Sequence, residues 1–156
     1  MITACVLFII WWLLNYQWFA EQGVSPKLNK ILTTTGIVGS LSLIVSTVTL
    51  YPPRTAIDWD LHVPAAILFF LITFIAQAAH LMLYKTQFTG KQPTYGLRLK
   101  WISVVLQGLL IAIALGLKAL DTGENIGNAI EWWLALLVAM YYLSTHWAWR
   151  SAKIRF

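Results

Sequence analysis

Val63-Pro-Ala-Ala-Ile-Leu-Phe-Phe-Leu-Ile-Thr-Phe-Ile-Ala-Gln-Ala-Ala-His-Leu-Met-Leu83 runs without a single Asp, Glu, Lys or Arg. An α-helix needs about 20 mostly apolar residues to cross the hydrocarbon core of a bilayer. Within that core each backbone N–H and C=O must be satisfied inside the segment, so a run of this kind reads as a spanning helix. Four further runs, 2–19, 31–51, 101–120 and 130–149, meet the same requirement or come close to it. Turn and charge signals close each run: Gly23-Val-Ser-Pro26, Pro52-Pro-Arg54, Gly90-Lys-Gln-Pro93 and Asp121-Thr-Gly123. The expected fold is therefore all-α, an integral membrane bundle of five transmembrane helices forming one domain over 1–156. Its connections are too short to hold a soluble domain.

Composition agrees. The 156 residues are 59% hydrophobic and 11% charged, and soluble domains carry about a quarter charged residues. A net charge of +5 in a soluble protein would raise nucleic acid as a partner. Here the bases sit between apolar runs, where they set orientation, and no nucleic-acid partner is expected. The single cysteine, Cys5, lies inside the first run, so neither an internal disulfide nor a cysteine-based metal site can form.

Lys27, Lys30, Lys85, Lys91, Arg98, Lys100, Arg150, Lys153 and Arg155 fall in the first loop, the third loop and the tail, which alternating helices place on one side. That is nine of the eleven cations. The other side has Arg54 and Lys118 with Asp58, Asp60, Asp121, Glu124 and Glu131, five of the six acids. Short loops rich in Lys and Arg stay in the cytoplasm, so the N-terminus is expected outside and the C-terminus inside. Adding or removing one helix would scramble the separation. Trp18, Trp101, Trp147 and Trp149 fall near the inner boundary and Trp59, Trp132 and Trp133 near the outer one, while Trp11 and Trp12 lie deeper.

Polar groups within a bilayer are few and need a partner or a purpose. At the outer end, Asp58, Asp60 and His62 lead into the third run, and Glu131 stands in the first turn of the fifth. Together these four form a candidate site for a lipid headgroup amine or a cation. Against that stands a plainer account: Asn128-Ala-Ile-Glu131 has the spacing of a capping box, and His62 fits an interfacial histidine bonded to loop backbone. One histidine among scattered carboxylates is not a zinc signature, and no metal is expected. His80 and His146, near the inner ends of their helices, are the candidate axial pair for a haem; the plainer account is an interfacial histidine with a wet tip. Gly36 with Ser40, and Gly108, Ala112 and Gly116, make small-residue stripes for close helix packing. No nucleotide loop, catalytic triad order or metalloprotease helix is present, so the expected protein is not an enzyme.

His62-Val-Pro-Ala-Ala-Ile-Leu-Phe-Phe opening one helix, and Asn125-Ile-Gly-Asn-Ala-Ile-Glu131-Trp132 opening the last, resemble the damage-regulated autophagy modulators and GPI-anchor lipid-remodelling factors. Gly36 and Gly39 in 32–50, and Leu97-Arg-Leu-Lys100, extend the resemblance to about 28–150. Members of that family have six spans, and the first helix here corresponds to their second. The resemblance implies lipid handling rather than a reaction. Two function classes stay open: a membrane protein that binds lipid or supports a membrane assembly, and a small accessory or haem-binding subunit of a redox or energy-transducing complex. Expected partners are membrane lipid and other membrane subunits or further copies of the chain.

Overall fold

A computed structural model describes the backbone of residues 2–49, 56–87, 94–119 and 124–151, and the side chains of 2–49, 61–86, 95–117, 127 and 129–147. The described chain is five α-helices: α1 Ile2–Glu21, α2 Pro26–Val48, α3 Ala56–Gln87, α4 Thr94–Ala119 and α5 Glu124–Ser151. Four of them contain segments long and apolar enough to cross a membrane: Ile2–Glu21, Pro26–Val48, Leu61–Thr86 and Tyr95–Leu117. The fifth is long enough, but Glu131, His146 and its Trp and Tyr residues make it less apolar.

The helices outrun the apolar segments because polar residues at a membrane boundary can still be helical. α2 begins at Pro26, whose missing N–H costs nothing in the first turn. The α1–α2 turn is a Schellman motif. Gly23 takes the left-handed conformation with φ 77°, the Gly23 N–H reaches the Ala20 carbonyl at 3.1 Å, and the Val24 N–H reaches that of Phe19 at 3.1 Å. α3 begins at Ala56, so Pro64 lies inside it and offers no N–H to the carbonyl four residues back. α5 begins at Glu124, which puts Asn128 and Glu131 inside the helix. The capping-box account of Glu131 is thereby corrected, because the orphan N–H groups it would satisfy belong to earlier residues. The expected turns at 52–54, 90–93 and 121–123 lie outside the described residues.

The chain divides into two compact units, Met1–His80 and Leu81–Phe156. In the first, α2 packs on α1 at Gly36, where a Cβ would collide with the Trp12 indole. It packs on α3 at Gly39, where a Cβ would stand 2.8 Å from Thr73 Oγ1. In the second, α4 packs on α5. The other small-residue stripe behaves differently: Ala112 and Gly116 are exposed, and a Cβ at Gly116 would meet nothing within 4 Å.

Both units leave many large apolar side chains exposed and bury polar ones alongside an apolar core. Leu7, Leu13, Ile31, Val45, Val105 and Leu109 point outward at helical spacing. Asn15, Asn29, Ser46, Gln77, His80, Lys100, Ser103, Gln107 and Thr145 are buried. In hydrocarbon this is the favourable arrangement, because lipid tails solvate apolar side chains and only other protein groups can satisfy polar ones.

Candidate functional site

In the first unit three buried or half-buried polar side chains join helices in pairs. Asn29 Nδ2 donates to the Tyr16 carbonyl at 2.8 Å, tying α2 to α1. Asn15 Nδ2 donates to the Trp11 carbonyl at 2.8 Å, which turns Oδ1 toward His80 Nε2 at 3.3 Å. An amide oxygen only accepts, so His80 carries its proton on Nε2 and ties α3 to α1. Trp11, Trp12 and Phe19 surround that imidazole with ring centroids 5.2, 5.9 and 4.9 Å away. His80 is 0% exposed, which corrects the wet interfacial account. His62 Nδ1 donates to the Ser46 carbonyl at 2.9 Å and lies 3.1 Å from Ser46 Oγ, tying α3 to α2. Its partner is the backbone of a neighbouring helix rather than of a loop.

Of the remaining outer-end candidates, Glu131 is exposed on α5 in the second unit, whereas His62 belongs to the first. The side chains of Asp58 and Asp60 lie outside the described residues. His146 is exposed in the second unit with its ring 6.2 Å from that of Trp147, and His80 is in the first. Among the described residues no group of three or more His, Cys, Asp or Glu is placed to hold a metal.

The second unit contains a group of polar residues that the charge count treats only as an orientation signal. Lys100 is 1% exposed, and its Nζ has no hydrogen-bond partner among the described residues. It stands 4.5 Å from the Tyr84 ring centroid and 5.2 Å from that of Tyr141. Ser103 and Gln107 lie three and seven positions further along α4, so they share the face of Lys100. Thr145 lies four positions after Tyr141 on α5. Ser103 Oγ and Thr145 Oγ1 are buried without partners as well, whereas Ser144 Oγ donates to the Tyr141 carbonyl at 2.6 Å.

The energetics are one-sided. Desolvating an ammonium costs several kcal/mol even after relaxation, and each facing ring returns about 0.5–2 kcal/mol. Two rings therefore fall short of what the charge loses. Among the described residues no hydrogen-bonding group closes the difference, and the neighbours of the lysine nitrogen are the Tyr84 and Tyr141 rings. The spacing of Lys100, Ser103 and Gln107 along one helix face carried the signal, but drawing the span from Trp101 left Lys100 outside it.

Residues 1–152 match the model of the Frag1/DRAM/Sfk1/Cwh43P N-terminal domain, a match that includes α1 as well as the segment on which the resemblance rests. No curated protein and no solved structure matches the chain. With a domain match over nearly its whole length and four helices able to cross a membrane, this chain is a multi-pass membrane protein that belongs to the Frag1/DRAM/Sfk1/Cwh43P N-terminal domain family.

Proposed function

We propose that this protein binds anionic lipid without transforming it, as a five-span membrane protein with its N-terminus outside and its C-terminus in the cytoplasm. The observation that supports lipid binding is the Lys100 ammonium, buried beside Tyr84 and Tyr141 with no hydrogen-bond partner among the described residues. An ionisable residue kept within a membrane span marks a functional site by default, and the partner it lacks is negative. At the end that holds nine of the eleven cations, the abundant negative groups are lipid phosphates and carboxylates.

Supporting α5 as the fifth span, Trp132 and Trp133 are 77% and 59% exposed, and Trp147, fifteen residues on, is 40% exposed. Aromatic residues some 22 Å apart along a helix suit the two boundaries of a bilayer. In this orientation His62, Asp58, Asp60 and Glu131 share the outer headgroup zone, with His62 fastening α3 to α2.

Lipid extracted from protein washed in mild detergent tests the binding. Wild type is expected to retain phosphatidylserine or phosphatidylinositol, and Lys100→Met to retain less, its affinity at this one site falling about tenfold with the loss of one charge-assisted hydrogen bond. Lys27→Met, on an exposed cation, is expected to retain as much as wild type. Equal retention by Lys100→Met and wild type would defeat the reading. Orientation is tested in sealed vesicles of known sidedness. An impermeant maleimide is expected to label Glu131→Cys from the outer side and Lys85→Cys only from the inner side, and the reverse pattern would overturn the topology.

A further inference from the structure

The first unit carries an open groove of about 460 Å³ on its exposed face, lined by Lys30, Ile31, Thr34, Thr35 and Val38 of α2 and by Ile72 of α3. Helical spacing explains its form. Lys30, Thr34 and Val38 recur every fourth residue along one line of α2, and Ile31 and Thr35 form the line beside it. From Lys30 to Val38 the helix rises about 12 Å.

Polarity changes along that distance. Lys30 is an exposed ammonium, and Thr34 presents an exposed hydroxyl one turn later. Thr35 has already given its hydroxyl to the Ile31 carbonyl at 2.9 Å, so it offers the groove mainly a methyl group. Val38 and Ile72 are apolar. Ile72 also packs beside Gly39, where a Cβ on the glycine would stand 3.4 Å from Ile72 Cγ2. The contact between α2 and α3 thus sits at the apolar end of the groove, opposite the cation. A surface cation followed by a hydroxyl and then by an open apolar trough has the polarity sequence of a phospholipid, and its volume lies in the range of ordinary ligand sites.

We propose that this groove holds one phospholipid, with its phosphate on Lys30 and Thr34 and an acyl chain laid along Ile31, Thr35, Val38 and Ile72. The proposal rests on the lipid-binding reading but uses a site of its own, in the other unit from Lys100.

The test uses the full chain in phosphatidylcholine vesicles containing a phosphatidylserine probe with a diazirine on one acyl chain. Crosslinks are expected to concentrate between residues 30 and 38 of α2 and around Ile72. Val38→Trp fills the groove and is expected to remove most of that labelling, whereas Val45→Trp, on an exposed α2 position outside it, leaves labelling unchanged. Lys30→Glu is expected to lower labelling about fivefold, the effect of one lysine at an anionic surface, while labelling by a diazirine diacylglycerol without phosphate persists. Competition by inorganic phosphate would show a free-anion site instead and overturn the proposal. So would labelling that spreads evenly over the outward faces of α1 and α2, or that Val38→Trp leaves intact. Lys100→Met is expected to leave groove labelling unchanged, so failure at Lys100 and failure of the groove give different results.

Discussion

In the first unit Asn29 reaches the Tyr16 carbonyl, His80 donates to Asn15, and His62 donates to Ser46, so each pair of helices shares a polar clasp. The second unit buries Lys100, Ser103 and Thr145 with Nζ, Oγ and Oγ1 lacking hydrogen-bond partners among the described residues. In the first unit Asn29 Oδ1, Gln77 Nε2 and the indole nitrogens of Trp11 and Trp18 also make no hydrogen bond among the described residues, although each of these side chains has other contacts. The two units meet the same constraint differently. A buried polar group left alone costs about 1–3 kcal/mol, and more when charged. What separates the units is charge: the first ties its helices together through side-chain hydrogen bonds, whereas the second buries a lysine whose Nζ makes none among the described residues.

The largest test of this contrast applies one substitution to both units. Gly36→Ala places a Cβ into the Trp12 indole, and that ring is held at 1% exposure with Trp11 and His80 against it. Overpacking where neither side can yield is expected to cost about 3 kcal/mol. Gly116→Ala meets nothing within 4 Å and is expected to gain the roughly 0.8–1 kcal/mol by which alanine exceeds glycine in a helix. Unfolding of both variants in the same micelle measures the difference. Similar losses at both glycines would mean that the α4 stripe is packed as tightly as that of α2.

A smaller effect is expected from the clasp between α1 and α3. Asn15→Leu leaves the His80 Nε2 proton buried without its acceptor, a loss of about 2 kcal/mol. Adding His80→Phe removes the stranded donor and keeps a ring among Trp11, Trp12 and Phe19, so more than half of the loss is expected to return. A double-mutant cycle on midpoint stability reads the coupling directly. Additive losses would show that Asn15 and His80 act separately and that the clasp is incidental.

How much of this was legible beforehand follows from the range of each interaction. The apolar runs found all five helices, because spanning length and backbone satisfaction are local properties. Helix ends were missed by up to seven residues, as at Ala56 against the expected Val63, because hydropathy marks where lipid begins rather than where hydrogen bonding stops. The partner of His80 was not legible at all. Asn15 lies 65 positions earlier, and no spacing rule connects them. Gly36 and Gly116 look alike as sequence, yet only Gly36 faces an indole, because a small residue permits close approach without saying whether a neighbour comes. Lys100 was visible as a cation, and what hid it was the assumption that a base beside Trp101 must lie outside the span.

The smallest effect is the one whose sign matters most. Lys100→Met keeps the unbranched stem and removes the ammonium, so Tyr84 and Tyr141 retain most of their packing while the unit no longer desolvates a charge. Replacing a buried charge by an apolar side chain of similar length is often neutral or stabilising, and here a gain of about 1 kcal/mol is expected in lipid-free detergent. Asn15→Leu, also a polar-to-apolar change at a buried position, is expected to destabilise, so the two units answer the same kind of substitution with opposite signs. Adding anionic lipid sharpens the test, because a ligand that binds only the folded wild type raises its stability by mass action and should erase the advantage of the methionine variant. If Lys100→Met destabilises the lipid-free protein by as much as Asn15→Leu does, Lys100 has an internal partner and the contrast between the units fails.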